Sequence, residues 1–175
     1  MSNANIERWR ENVQSWYEAI PDLTRPLTEQ EWSHLERRVR REPESALEWI
    51  QNCFKTLRFV KDEWNDGKFQ GFEDRLTIEQ SMIRSPVGWF NIRWSDTFPH
   101  ALALTTVMEK RDAPNEITSI LIQVDVSEEP VERERRFRML DVSYKSLSNC
   151  VLDSIYCREF QPRSVHKSVV FQWTQ

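Results

Sequence analysis

Three glycines in 175 residues, Gly67, Gly71 and Gly88, constrain this chain more than any other feature of its sequence. A P-loop, a dinucleotide-binding fingerprint or a G-x-S-x-G elbow each needs glycine at fixed offsets. Only glycine permits the tight turn and the close approach of backbone to a phosphate or nucleophile. None of these motifs can be written with glycines at 67, 71 and 88. Tryptophan runs the other way. Eight are spread over the whole length, at 9, 16, 32, 49, 64, 89, 94 and 173. Tryptophan buries a large area and is enriched at contact hot spots. The balance favours contact over catalysis.

The length fits one domain with a sizeable core. Residues 1–175 read as a single α+β domain, with a helical part over 1–66 and a sheet with a long helix over 86–175. A chain 39% hydrophobic and 30% charged has the composition of a folded globular protein. The net charge of −4 gives no global attraction to nucleic acid or anionic lipid, although a local patch can still attract either. The first twenty residues carry charges throughout and lack the apolar core of a signal peptide. No apolar run approaches the ~18 residues that span a bilayer. An odd set of three cysteines, Cys53, Cys150 and Cys157, fits free thiols in a reducing compartment. The expected location is therefore intracellular and cytoplasmic, with no transmembrane segment.

The first half reads as helical. Ile6, Trp9, Val13, Trp16, Tyr17 and Ile20 form one stripe that ends at Pro21. Thr28 and Glu31 have the spacing of a capping box, flanked by Leu27 and Trp32 in staple positions. Trp32, Leu35 and Val39 continue that face up to Pro43. A third helix runs from Pro43 through Ala46, Leu47, Trp49, Ile50, Cys53, Phe54, Leu57, Val60 and Trp64 to a stop at Asn65-Asp66-Gly67. Phe59 lies outside its apolar sector. Residues 68–85 fit two readings, a short helix with Thr77 as a cap, which is preferred, or a strand in which Leu76, Ile78 and Met82 alternate.

The period then changes to two. Phe90, Ile92 and Trp94 alternate with Trp89, Asn91 and Arg93, and the same period runs through Leu102, Leu104, Thr106 and Met108 and through Ile120, Ile122, Val124 and Val126. Short Asp-, Pro- and Asn-containing connections at 95–99 and 111–115 predict an antiparallel meander. After Pro130 the spacing of Phe137, Leu140, Tyr144, Leu147, Val151, Leu152 and Ile155 predicts a long helix packed on the sheet. A last strand is expected over 165–173. The fold class is α+β: N-terminal helices, an antiparallel sheet of about four strands, and the long helix.

No metal or cofactor is expected. His34, His100 and His166 fall in three different elements, and no C-x-x-C or H-x-x-x-H spacing occurs. Two basic clusters stand out: Arg37, Arg38, Arg40 and Arg41 at the end of the second helix, and Arg133, Arg135, Arg136 and Arg138 at the start of the long one. Glu36–Arg40, Glu132–Arg136 and Glu134–Arg138 have the stabilising i,i+4 order, which also suits a self-paired solvated face. Opposite its apolar sector the long helix carries Met139, Ser143, Ser146, Cys150, Ser154 and Cys157. That face is small and weakly polar, which suits burial under the N-terminal helices of the same chain at least as well as the approach of a partner helix.

The leading expectation is a non-catalytic interaction or assembly protein: a scaffold, an adaptor, or a viral structural or accessory protein. Its surface would comprise Met139, Ser143, Ser146, Cys150, Cys157 and Phe59, facing a protein partner or a second copy. The first alternative is a nucleic-acid binder using the two arginine clusters with aromatic stacking. The second is an enzyme with a scattered site around His100 or His166.

Overall fold

Thr28 opens the second helix in the way its spacing predicts. Its hydroxyl accepts from the Glu31 amide, and the Glu31 carboxylate accepts from the Thr28 amide, a reciprocal capping box. In the computed structural model, which describes residues 3–127, 135–160 and 165–171, the helices are α1 (Asn3–Glu18), α2 (Glu29–Arg41) and α3 (Pro43–Leu57). They are followed by α4 (Lys61–Asn65) and α5 (Arg75–Met82). The expected third helix is thus two, broken at 58–60. The break takes Phe59 off the helical wheel and leaves it partly buried against the core. Gly67 ends α4 at φ +65°. Its amide bonds Trp64 O at 3.0 Å and the Lys68 amide bonds Glu63 O at 2.8 Å, a Schellman closure. The helix in 75–82 starts earlier than expected, because Asp74 rather than Thr77 supplies the cap.

The meander forms as β1 (Trp89–Trp94), β2 (Ala101–Met108) and β3 (Glu116–Val124). One face of these strands carries Phe90, Ile92, Trp94, Leu102, Leu104, Ile122 and Val124 into the core formed with α1–α4. Trp49, Phe54, Trp64, Phe69, Phe72 and Trp94 meet there in edge-on, tilted and stacked pairs with centroids 5.1 to 6.4 Å apart. On the opposite face α5 packs Ile78 and Met82 onto Val107.

The long helix is corrected. Over the expected span the chain makes β4 (Phe137–Met139), a two-residue turn at Leu140-Asp141, β5 (Val142–Tyr144) and α6 (Leu147–Asp153). Phe137 and Met139 are buried beside Val124 and Ile122 on β3, so the alternation of the strand prevails over the helical spacing. Only the last part stays helical, capped by Ser146, whose hydroxyl accepts from the Asn149 amide at 3.1 Å. The last strand is also shorter than expected. β6 (Glu159–Phe160) and β7 (Val165–His166) are followed by a one-turn helix α7 (Lys167–Val170). Lys167 turns back to donate to the carbonyls of Val151, Leu152 and Ser154, 2.6 to 3.4 Å away, which closes the C-terminal end of α6. The strand order is β5-β4-β3-β2-β1-β6-β7, antiparallel throughout except for the parallel β1–β6 pair. The α+β class stands, with more and shorter strands than the spacing indicated. No helix among the described residues is long and apolar enough to cross a membrane.

Candidate basic site at the end of the sheet

At one end of the sheet β1 stops at Trp94, β2 starts at Ala101, β3 stops at Val124 and β4 starts at Phe137. The 95–100 loop occupies the middle of this end and is pinned from several sides. Ser95 Oγ accepts from the Phe98 amide at 3.1 Å, and Ser95 O accepts from the Trp49 indole at 3.2 Å. Arg38 Nη2 donates to Asp96 O at 2.7 Å, and Arg93 Nη1 reaches the Asp96 carboxylate at 3.1 Å. The Thr56 hydroxyl lies 3.1 Å from Pro99 O and 3.0 Å from His100 Nδ1. A loop fastened by α2, α3 and β1 holds its side chains in place before any ligand arrives.

The two arginine clusters flank this loop. On one side lies a cleft of about 460 Å³, lined by His34, Arg37, Arg38 and Arg41 of α2, by Asp74, Arg75 and Leu76, and by Asp96 of the loop. On the other lies a cleft of about 440 Å³ lined by Phe98, Pro99, His100 and Ala101 together with Asp125, Arg135, Arg136 and Arg138. One arginine of each cluster rests on an aromatic ring. Arg38 lies 4.0 Å over Trp49, and Arg136 lies 4.0 Å over Phe59. Those rings are ten residues apart along α3 and its end, roughly 15 Å at helical rise. Among the described lining residues the first cleft has four arginines against Asp74 and Asp96, with Arg41 and Arg75 also paired to Glu42 and Glu79 beside it, and the second has three against Asp125.

The individual arginines differ. Arg37 and Arg41 are exposed, 4.0 Å from Asp74 and 3.6 Å from Glu42 respectively. Arg40 keeps its expected i,i+4 pair with Glu36 at 2.7 Å and does not line the cleft. Arg136 and Arg138 have partners on β3 and in the segment that follows it. Arg136 donates to the carbonyls of Asp125 and Ser127, and Arg138 donates through Nε and Nη2 to Gln123 Oε1 at 3.0 and 2.5 Å. Arg135 is exposed. Arg133, Glu132 and Glu134 lie outside the described residues. Burial pushes Arg38 and Arg93 below the ordinary arginine value, and Asp96 opposes the shift in both. Burial also lowers His34 and His100.

The small-residue face is dispersed. Met139, Cys150 and Cys157 are buried in the chain's own core, and Cys150 Sγ contacts Met139 Sδ at 3.7 Å. Ser146 caps α6, Ser154 is buried, and Phe59 lies under Arg136; Ser143 alone of the seven is exposed. Burial raises the Cys150 and Cys157 thiols to about 12 and the Cys53 thiol also strongly, so none is set up as a nucleophile. His100 has Thr56 rather than a carboxylate on Nδ1, and exposed His166 bonds Ser168 Oγ at 2.8 Å. Among the described residues no group of three His, Cys, Asp or Glu could hold a metal ion.

Phe98, Gln123 and Arg75 join the site without having been singled out by motif. The strand alternation does hold a signal for Gln123, since it falls on the face opposite Ile122 and Val124. No protein-family model matches this chain, and no curated protein is similar to it.

Proposed function

We propose that this protein binds nucleic acid through the basic end of its sheet. The observation that carries the reading is the placement of Arg37, Arg38 and Arg41 on one side of a single pinned loop and of Arg135, Arg136 and Arg138 on the other, each set in a cleft with more guanidinium than carboxylate among its described lining residues. Guanidinium groups pair with phosphate in bidentate fashion, and release of condensed counterions drives such contacts. The net charge of −4 restricts attraction to this end, which favours a local and oriented contact over coating of the whole surface.

Salt titration tests it. With four exposed guanidiniums engaged (Arg37, Arg41, Arg135 and Arg138), the slope of log K against log salt is about −3 for a single strand. Replacing Arg37 and Arg41 by Glu lowers affinity and flattens the slope. These two are chosen because their side chains are exposed, whereas Arg38 also supports the fold. Binding that is absent, or insensitive to salt, removes the proposal.

Self-association keeps one specific observation in its favour. β5 is the outer strand of the sheet, with Leu140 and Val142 exposed beside it. An open edge with apolar neighbours is a template for pairing with a second chain. Light scattering on a sizing column, with and without Val142→Lys, tests that reading. A monomer unaffected by the substitution eliminates it.

A further inference from the structure

We infer that the cleft beside Phe98 receives an unpaired base, so that the protein prefers single strands over duplex; this rests on the nucleic-acid reading and narrows it. Strand pairing places Ala101, Gln123, Arg138 and Ser143 directly opposite one another in a row across β2, β3, β4 and β5. Opposed residues share a face, and this is the face turned away from the main core. The row lines the floor of the 440 Å³ cleft, and Phe98 with Pro99 lines its side. A cleft of that size is in the range of sites for small organic ligands.

The chemistry suits a nucleobase. Phe98 is 52% exposed although its backbone is fixed by Ser95 and its neighbour Pro99 is held by Thr56. An aromatic ring on a rigid loop offers a stacking surface at little entropic cost. Gln123 Oε1 accepts from Arg138 Nε and Nη2, which sets its orientation, and its Nε2 hydrogens have no partner among the described residues and face a base edge. Ser143 adds a hydroxyl that both donates and accepts. Arg138, held flat on the strand row, and Arg135 at the mouth supply cations beside the stacking surface for the adjoining phosphates. A free phosphate or a phosphorylated side chain would have no use for the apolar wall of Phe98, Pro99 and Ala101. A paired base in duplex is already stacked and cannot reach it.

Fluorescence anisotropy with a labelled dT12 strand, a 12-base-pair duplex and labelled heparin, each at a low and a moderate salt concentration, tests the inference. The single strand is expected to bind about 10-fold more tightly than the duplex. Phe98→Ala is expected to weaken the single strand by about 5- to 100-fold, leaving the duplex unchanged. Phe98→Tyr keeps a ring and is expected to retain affinity, which separates lost stacking from lost folding. Equal, salt-sensitive binding of strand, duplex and heparin, indifferent to Phe98→Ala, overturns the base site while leaving the charge-based reading intact. No salt-sensitive binding of any of the three overturns both.

Discussion

Arg25 and Glu31 meet at 3.0 Å inside the helical layer, with the Arg25 guanidinium 3.8 Å over the Trp64 ring. The same Glu31 oxygen accepts from the Phe72 amide at 3.3 Å, and the other closes the capping box on Thr28. One carboxylate thus satisfies a helix start, a buried loop amide and a guanidinium. Removing one partner of a buried pair leaves the other charge uncompensated. Glu31→Ala is expected to lower unfolding stability by about 3 kcal/mol. Urea denaturation checks it, the midpoint falling at constant slope. A loss under about 1 kcal/mol, the value of a helix cap alone, refutes this account.

Gly71 shows how closely that hub is packed. Its φ is +80°, and an added Cβ would stand 2.0 Å from Glu31 Oε1 and 2.8 Å from two Trp64 ring atoms. Gly71→Ala therefore combines left-handed strain with a clash. Its expected cost is about 3 kcal/mol or more, against about 1 kcal/mol for Gly67→Ala, where the positive φ is the only argument. Thermal denaturation of both variants gives the comparison. Similar melting temperatures would show that the 70–72 segment yields.

Leu140 occupies the first position of the β4–β5 turn with φ +54° and is 59% exposed. A positive φ there is ordinarily supplied by Gly, and a leucine in this region carries roughly 1 kcal/mol of steric strain. Leu140→Gly is expected to raise stability by about that amount. A stability equal to or below that of the parent chain contradicts the turn geometry.

The same residue explains where the sequence could and could not be read. The capping box, the stop at Gly67 and the three-stranded meander were legible, because each is fixed by local chemistry at short range. The β4–β5 hairpin was not. Its turn lacks Gly and Asn, and Phe137, Leu140, Tyr144 and Leu147 happen to fit a helical period as well as an interrupted alternation. What decides the matter is non-local: Phe137 and Met139 must complete the sheet beside Val124 and Ile122. The small-residue face depended on that helix and dispersed with it. The arginine clusters were visible as sequence, but their gathering around one loop depends on how β1, β2 and α3 pack, which no spacing reveals.

His34 links the basic end to pH. It is 9% exposed, and its Nε2 has no hydrogen-bond partner among the described residues. Burial is the first cause holding its pKa below 6.5; Arg37 and Arg38 add to the shift, and Asp96 and Asp74 oppose it. The unfolded chain therefore takes up this proton first. The contribution to stability is complete above 6.5, and it declines as pH falls from there through the folded value. The melting temperature should drop as pH falls below 6.5, and His34→Gln should flatten the drop. His100 is also lowered and still titrates in the variant, so the difference between the two curves isolates His34. Parallel curves would exclude it.

Arg38 and Arg41 line the same cleft but have different work. Arg38 lies over Trp49 and bonds Asp96 O at 2.7 Å, tying α2 to the loop and to α3. Arg41 is exposed, and its neighbour is Glu42 at 3.6 Å, a surface pair that contributes at most about 1 kcal/mol. Arg38→Ala should therefore cost stability, on the order of 2 kcal/mol for a desolvated cation–π contact and a charge-assisted hydrogen bond. It should also weaken the single strand more than the duplex, because the loop that carries Phe98 loses its anchor. Arg41→Ala should leave the melting temperature unchanged and reduce the salt slope by a little under one. Lysine at 38 keeps the charge but not the planar stacking group. Arg38→Lys should therefore recover little of the lost stability. If it recovers all of it, charge alone accounts for Arg38, and the stacking on Trp49 is incidental.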